Sequence, residues 1–317
     1  MRPYNHKPVL LAEVLAALQP APGQSYLDAT LGGGGHAAAL LKALQPNGKL
    51  LGLDADPNAI QAATAYFQTF GPEEISPNSY TLCQTNFQHL TKWAKAQEFE
   101  LFDGILFDLG VSSPQLDTPE RGFAFRTDGP LDMRLDPTSD FTAADLLATW
   151  DEKKLADTIY LYGEERKSRQ IARRIVERRQ RQPIETTTDL ANLVAQVLPQ
   201  SFKARAKIHP ATRTFQALRI AVNQELERLE RALPQAVALL RPGGKLAVIS
   251  FHSLEDRIVK LFFRAESGYG GNEASDQPLR LRILTKKPIQ PQAEEIQANP
   301  RSRSAKLRVA ERICAEN

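Results

Sequence analysis

The sequence lacks several features, and each absence narrows the classes of protein it can belong to. Its 317 residues include only two cysteines, Cys83 and Cys314, too few for a disulfide framework or a cysteine-rich metal cluster. No apolar run is long enough to cross a bilayer. The N-terminal apolar patch is interrupted by Glu13 and has no small-residue cleavage site after it. We therefore expect no metal, no membrane association and a cytoplasmic location.

The chain also has little net charge, +3 at pH 7, so its overall charge does not require nucleic acid as a partner. Hydrophobic residues make up 42% of the sequence, which is enough for a sizeable core. The length allows one large domain or two ordinary ones.

A glycine-rich loop is the most informative feature that is present. Ser25–His36 reads SYLDATLGGGGH, in which an apolar run ends at Asp28 and four glycines precede a helical pattern. Strand, glycine loop and helix bring bare backbone against a nucleotide-like ligand, and a Cβ in the loop would hold that ligand off. A flexible surface turn is the alternative that four glycines alone would allow.

The acidic residues around this loop indicate the charge of the ligand. Asp28 would repel a pyrophosphate and attract a ligand that carries a sulfonium and an ammonium, as S-adenosylmethionine does. Asp54 ends a second apolar run about 20 residues later, where an acid is expected to bond a ribose hydroxyl. NAD enzymes share that feature. For Asp56, before Pro57, we favour helix capping alone.

The periodicity predicts an α/β fold with a large helical insertion. The gap between the strands at 104–107 and 245–251 far exceeds a single crossover, so 113–212 is predicted to be an inserted, mostly helical domain. A single helix over 214–240 is expected to lead into the later strand. Loops are expected at 267–277 and 290–299. The other predicted strands are 25–29, 49–53, 80–83, 279–284 and 305–310; the other predicted helices are 8–18, 36–44, 57–69, 87–96, 142–148, 151–162, 164–181 and 188–198.

Basic residues cluster in the insertion and in the tail. A solvated face with salt bridges is the plain interpretation of such runs, and contact with RNA phosphates is the functional one. We take the functional one for Arg166, Arg169, Arg173, Arg301 and Arg303. Lys203, Arg205 and Lys207 lie in a further cluster.

A third candidate site follows the strand at 104–107. Asp108 ends this strand, and ligands of open α/β sheets bind at the carboxyl ends of the strands. A carboxylate there can accept hydrogen bonds from an exocyclic amine and help to localise its lone pair for attack on a methyl group. A cap for Gly110 or Ser112 is the alternative.

These blocks resemble a known family, the bacterial ribosomal RNA small subunit methyltransferases H. This family, also called MraW, methylates N4 of a cytidine in the decoding region of 16S rRNA. The resemblance implies a class I (Rossmann-like) methyltransferase core formed by 1–112 and 213–317, and a helical substrate domain at 113–212. The matching blocks are His6–Leu11, Gly33–His36, Asp54–Pro57, Asp108–Asp117, Arg121–Phe123, Asp128–Arg134, Tyr162–Arg166, His209–Arg219, Ser250–Lys260 and Asn299–Ala310.

The resemblance also implies S-adenosylmethionine as cofactor and 16S rRNA, within the small ribosomal subunit, as partner; a homodimer is left open. Asp108 is the implied catalytic residue. The implied cofactor contacts are Gly34, Gly35, His36, Asp54, Phe87, Asp108 and Gln115.

Some alternatives stay open beside the resemblance. His36 could be a first-turn helix residue and Phe87 a core residue. Related amino-methyltransferases have two prolines and an aromatic after the acid, whereas Ser113-Pro114-Gln115 stands here. His252 and Ser253 could line the pocket instead, or Ser253 could cap a helix. Other possible functions are methylation of DNA or a small molecule, NAD-dependent oxidoreduction, and RNA binding without catalysis.

Overall fold

A computed structural model describes residues 8–197, 209–269 and 279–314. The chain divides into two compact units. The first, called the core unit, comprises Met1–Gly110 and Leu226–Asn317, and the second, called the helical unit, comprises Val111–Glu225.

The core unit is built on a seven-stranded sheet in the order β3-β2-β1-β4-β5-β7-β6. The first five strands pair in parallel, and β7 pairs antiparallel with both β5 and β6. This mixed α/β arrangement confirms the predicted fold class. The strands are β1 (Ser25–Asp28), β2 (Lys49–Asp54), β3 (Tyr80–Gln84), β4 (Phe102–Asp108), β5 (Leu240–Ser250), β6 (Leu281–Ile283) and β7 (Lys306–Arg312).

Both faces of this sheet are buried, because successive residues of a strand point to opposite sides. Leu27 and Phe107 belong to one hydrophobic cluster, whereas their neighbours Tyr26 and Leu106 belong to the other. Helices and short 3-10 turns cover the two faces. They are Leu11–Leu18, Gly35–Leu44, Pro57–Phe67, Phe87–His89, Leu90–Ala96, Glu225–Leu239, Ser253–Ser267, Ala293–Ala298 and Pro300–Ser304.

The helical unit has its own hydrophobic core. Apolar residues at helical spacing supply it; Ile171 and Ile175, for example, are fully buried while Arg173 between them is exposed. Its helices and 3-10 turn are Ser113–Asp117, Pro119–Arg121, Ala143–Thr149, Glu152–Gly163, Ser168–Arg179, Thr187–Val197 and Thr212–Asn223.

The structure differs from the prediction of one helix over 214–240. Thr212–Asn223 and Glu225–Leu239 are separate helices, because Gln224 adopts a left-handed backbone with φ 50°. Phe215 packs in the core of the helical unit, and Asn223 Nδ2 donates to Met133 O at 2.7 Å. Residues 213–225 therefore belong to the helical unit rather than to the core as predicted.

Two smaller expectations also change. Ala293–Ala298 is a short helix where a loop was predicted. Ser253–Ser267 is a long helix, of which we predicted only a possible cap at Ser253. The basic residues Lys203, Arg205 and Lys207 lie outside the described residues, as does most of the predicted loop at 267–277. Within the described ranges, no helix is long and apolar enough to span a membrane.

Candidate functional site

Three carboxylates lie at one edge of the core sheet. Asp28, Asp54 and Asp108 are the last residues of β1, β2 and β4, which run parallel as neighbours in the sheet. The strand order reverses between β1 and β4, and open α/β sheets bind their ligands at the carboxyl ends of the strands beside such a point. The sequence thus brings these three acids to the position where a ligand is expected.

The glycine loop is held against this edge by backbone bonds. Gly32 N donates to Asp54 Oδ2 at 2.8 Å, and Gly34 N donates to Leu31 O at 2.9 Å. A Cβ on Gly32 would meet nothing closer than Thr30 O at 4.0 Å, so this side of the loop is open. Gly32 is therefore a place where a ligand can approach the backbone.

At Gly34 and Gly35, packing behind the loop is a reason for glycine that we did not predict. A Cβ on Gly34 would lie 2.7 Å from the Phe67 ring, and a Cβ on Gly35 would lie 2.5 Å from Pro8. Gly34 also has φ 80°, which side chains rarely adopt. At these two positions, packing behind the loop excludes larger residues.

Replacing Gly34 by alanine should lower the free energy of unfolding by about 2–4 kcal/mol, because backbone strain and overpacking add. Gly243→Ala is a matched control, since Gly243 has φ 81° and nothing within 4 Å of its Cβ position. It should cost only about 1–2 kcal/mol. Urea unfolding measures both values, and equal losses would contradict the packing argument.

Asp54 and Asp56 divide their roles as expected. Asp54 Oδ1 accepts from Asp56 N at 2.9 Å, so both oxygens of Asp54 accept backbone N–H groups at the base of the loop. Asp56 Oδ1 accepts from Asn58 N at 3.0 Å at the start of helix Pro57–Phe67. The capping interpretation of Asp56 is confirmed.

Thr30 and His36 connect the loop to Asp108. Thr30 N donates to Asp28 Oδ1 at 3.1 Å, and Thr30 Oγ1 accepts from Asp108 N at 2.6 Å. Asp108 Oδ2 lies 3.6 Å from Nε2 of His36, which is 6% exposed. Asp108 Oδ1 is buried and has no hydrogen-bond partner among the described residues. The structure thus leaves one carboxylate oxygen of Asp108 available to a substrate or cofactor.

The acids at this edge hold their protons unusually strongly. Burial raises the pKa of Asp28 to about 7 and that of Asp54 to about 6. Burial also raises the pKa of Asp108 to about 8, with further contributions from the charges of Asp28 and Glu255. Because burial disfavours the charged form of these carboxylates, a positively charged ligand that stabilises this form would fit the site.

Removing the charge of Asp28 should stabilise the ligand-free protein at alkaline pH. The pKa of Asp28 is raised in the folded state. The favourable contribution of Asp28 to the free energy of unfolding is therefore fully present below about pH 4 and is lost as the pH rises through about 7. Asp28→Asn should therefore raise the free energy of unfolding at pH 8 by about 2–4 kcal/mol and change little at pH 4. Urea unfolding at both values checks this; the same change at both would contradict it.

Phe87 lies at the carboxyl end of β3, partly exposed. Its ring contacts that of Phe107, with centroids 5.7 Å apart at 75°. Asn86 caps the short turn that carries it, since Asn86 Oδ1 accepts from Gln88 N at 3.0 Å. The ring is thus partly packed against the core and partly exposed, and its contact with adenine stays a prediction.

Gln115 is placed in the helical unit, where it forms a capping box. Ser112 N donates to Gln115 Oε1 at 2.8 Å, and Gln115 N donates to Ser112 Oγ at 3.4 Å. The Ser112 amide is therefore already bonded by Gln115, and the alternative in which Asp108 caps Ser112 is wrong. The cofactor role of Gln115 stays a prediction.

The residues after β5 cap a helix in an unexpected way. His252 Nδ1 accepts from Glu255 N at 3.4 Å, so His252 rather than Ser253 is the N-cap of Ser253–Ser267. Glu255 Oε2 in turn accepts from Phe251 N at 2.8 Å. Asp256, in the first turn of the same helix, accepts from Arg308 Nε at 2.7 Å.

Two residues at this edge, Thr30 and Glu255, were not predicted from the sequence. Thr30 bridges Asp28 and Asp108, and Glu255 acts on the ionisation of Asp108. Thr30 lies two positions after Asp28, and Glu255 lies shortly after the end of β5. Their positions next to predicted strand ends could have identified them as residues of the site.

The predicted RNA-binding arginines lie on the surface of their units. Arg166, Arg169 and Arg173 are exposed in the helical unit, and Arg301 and Arg303 are exposed in the core unit. Several basic residues of these clusters have structural partners, among them Arg173, whose Nε lies 3.9 Å from Glu152 Oε1. Arg179 donates to Trp150 O at 2.7 Å, and Lys306 and Arg308 pair with Asp256.

The sheet order, the glycine loop after β1 and the acid at the end of β2 define a Rossmann-like α/β protein that binds a nucleotide-like cofactor, the class that includes the class I methyltransferases. The chain belongs to the MraW methylase family, whose model matches residues 3–313. Its cofactor is accordingly S-adenosylmethionine.

Relatives cover nearly the whole chain. A protein of Thermomicrobium roseum named ribosomal RNA small subunit methyltransferase H is 53% identical over 98% of this chain and 94% of its own length. A protein of the same name from Trichlorobacter lovleyi is 49% identical over 99% of this chain and 100% of its own length. A solved rRNA methylase of Streptococcus thermophilus is 12% identical, with a TM-score of 0.44 over 98% of this chain and 99% of its own.

Proposed function

We propose that this enzyme transfers a methyl group from S-adenosylmethionine to the N4 amino group of a cytidine in the decoding region of 16S rRNA. Relatives up to 53% identical carry the name of a small-subunit rRNA methyltransferase, which supports the RNA substrate. The acid at the end of β4 supports an amino group as the acceptor. The single observation that carries the proposal is the buried, unpartnered Oδ1 of Asp108 at the ligand edge of the sheet.

The residues of the core unit fit a cationic cofactor. Three carboxylates with raised pKa values surround the ligand edge, and Gly32 leaves the backbone open beside them. Asp54 would accept from the ribose, and Phe87 would lie against adenine. We assign Gly34, Gly35, His36 and Gln115 to the cofactor site as well.

Asp108 would act on the acceptor amine. When bound, S-adenosylmethionine supplies a methyl group whose bond to the sulfonium sulfur breaks as the bond to nitrogen forms. The lone pair of the cytosine amine is delocalised into the ring, and Asp108 Oδ1 would accept an N–H of this amine and favour attack. The methylated nitrogen then carries one proton too many, and Asp108 would accept it when ionised.

RNA would contact basic groups on both units. In the helical unit these groups are Arg166, Arg169 and Arg173, which we call the arginine row. In the core unit Arg301 and Arg303 precede Lys306, which is the register partner of Ser250 at the carboxyl end of β5. These two arginines therefore belong to the same sheet edge as Asp108, where phosphates flanking the target nucleotide would lie.

Arg169→Ala should weaken binding of small-subunit rRNA about threefold and reduce the salt slope of binding by about 1, because one phosphate contact is lost. Arg174→Ala on the same helix is the matched control, since Arg174 is neutralised by Glu177 at 2.9 Å. Filter binding at several salt concentrations measures both. Identical slopes for the two variants would remove Arg169 from the RNA surface.

Analysis of nucleosides tests the proposed function as a whole. The enzyme is incubated with tritium-labelled S-adenosylmethionine and either purified small subunits or free 16S rRNA from cells that lack the enzyme. We expect label in N4-methylcytidine, in a fragment from the decoding region. Label in another nucleoside, or in DNA and not in RNA, would overturn the proposal.

A further inference from the structure

The helical unit carries an exposed aromatic ring that is anchored in its core. His209 is exposed, and its ring centroid lies 4.5 Å from that of Phe125 at an angle of 37°. Phe125 in turn contacts Phe215, with centroids 4.7 Å apart at 67°, and Phe215 is buried. One face of the imidazole is thus supported by the hydrophobic core while the side chain remains accessible.

The orientation of this ring is fixed by the start of a helix. His209 Nδ1 accepts from Ala211 N at 3.2 Å, just before helix Thr212–Asn223. Because Nδ1 accepts, the proton of the neutral ring lies on Nε2. The residue therefore offers a flat, oriented face and one N–H donor.

Two cationic residues are close in the chain to this ring and to its partner Phe125. Arg213, in the first turn of the helix, has a side chain that is 46% exposed although it lies 3.9 Å from Glu165 Oε2. Its Nη1 donates to Glu164 O at 3.4 Å, and Glu164 is two residues before Arg166 in the chain. Arg126 is exposed and follows Phe125 in the chain. The first turn of the helix adds partial positive charge.

We propose that a nucleobase of the small-subunit RNA stacks on His209 while Arg213 holds an adjacent phosphate. Aromatic rings flanked by cations bind unpaired bases in this way, because stacking tolerates any base and the cation neutralises the backbone. Arg213 makes this surface continuous with the arginine row of the helical unit. The inference rests on the proposed function, because it takes small-subunit RNA as the substrate.

Two substitutions separate stacking from other roles of His209. His209→Ala removes the ring, whereas His209→Phe keeps a flat ring and removes the N–H donor. Tyr160→Ala is the matched control, since Tyr160 is an aromatic residue of the same unit that is 58% exposed. The measurements are KM and kcat on small subunits and on free 16S rRNA, with the affinity for S-adenosylmethionine determined by calorimetry.

We expect His209→Ala to raise KM for the RNA about tenfold on both substrates, the lower to middle range for one stacked base. The value of kcat and the cofactor affinity should stay within about twofold of wild type, and His209→Phe should recover most of the loss. Tyr160→Ala should resemble wild type.

Three results would overturn the stacking site while leaving the proposed function intact. They are an unchanged KM in His209→Ala, a His209→Phe variant as weak as His209→Ala, and a loss confined to assembled subunits, which would indicate a protein partner. A wild-type enzyme that methylates neither substrate would instead overturn the proposed function, and this inference with it.

Discussion

Asp108→Asn should lower kcat by about two to four orders of magnitude, the range associated with the loss of a positioned acid or base. Asparagine preserves the size of the side chain and one acceptor oxygen, but it cannot accept the proton that leaves the methylated amine. The fold should tolerate the change, because burial already disfavours the charge of Asp108. Single-turnover methyl transfer to small subunits, at saturating cofactor, measures the loss.

Asp103 provides a control on the same strand. Its carboxylate accepts from Ser25 N at 2.8 Å and pairs with Arg241 at the opposite end of β4. Asp103→Asn keeps the acceptor for Ser25 and should leave kcat within about twofold of wild type. If Asp108→Asn keeps more than about a third of the wild-type rate, Asp108 does not handle the proton.

The second large effect concerns pH. Affinity for S-adenosylmethionine should fall about tenfold or more between pH 8 and pH 6. The cation binds the ionised carboxylates, and the pKa values of Asp108 and Asp28 are about 8 and about 7, so acidification protonates the groups that it needs. At pH 7 binding should release protons, which calorimetry detects as a heat that depends on the ionisation enthalpy of the buffer.

S-adenosylhomocysteine is the matched ligand for this experiment. It lacks the sulfonium charge and keeps the ammonium, so its affinity should change less over the same pH range and its binding should release fewer protons. Equal pH dependence for the two ligands would show that the carboxylates respond to the ammonium or to the ribose, and not to the methyl-bearing sulfur.

The sequence was informative about the strands and their ends. An apolar run that ends on an acid identified Asp28, Asp54 and Asp108, and all three end parallel strands at one edge. Local signals sufficed there, because the length of a strand, its alternating pattern and its last residue can all be read from one continuous segment of the chain. The helix start at Asp56 was equally local.

Predictions that depended on distant contacts were less successful. The stripe from Phe215 onward fits a helix, but nothing in its periodicity tells which core it faces, and it packs in the helical unit. Glycine is required at position 34 by Phe67, which lies well after the loop in the chain, and at position 35 by Pro8, which lies well before it. Ser253–Ser267 is capped by the imidazole of His252, and a sequence search for the usual Ser or Thr cap does not find a histidine.

The position of β7 has a consequence for synthesis of the chain. Lys306–Arg312 is hydrogen-bonded on both sides, to β5 and to β6, although it is the most C-terminal strand described. While this segment is still inside the exit tunnel of a translating ribosome, β5 lacks one neighbour and β6 lacks its pairing partner. The sheet therefore cannot be completed until this segment has emerged, and loss of Lys306–Arg312 would remove a strand that lies between two others.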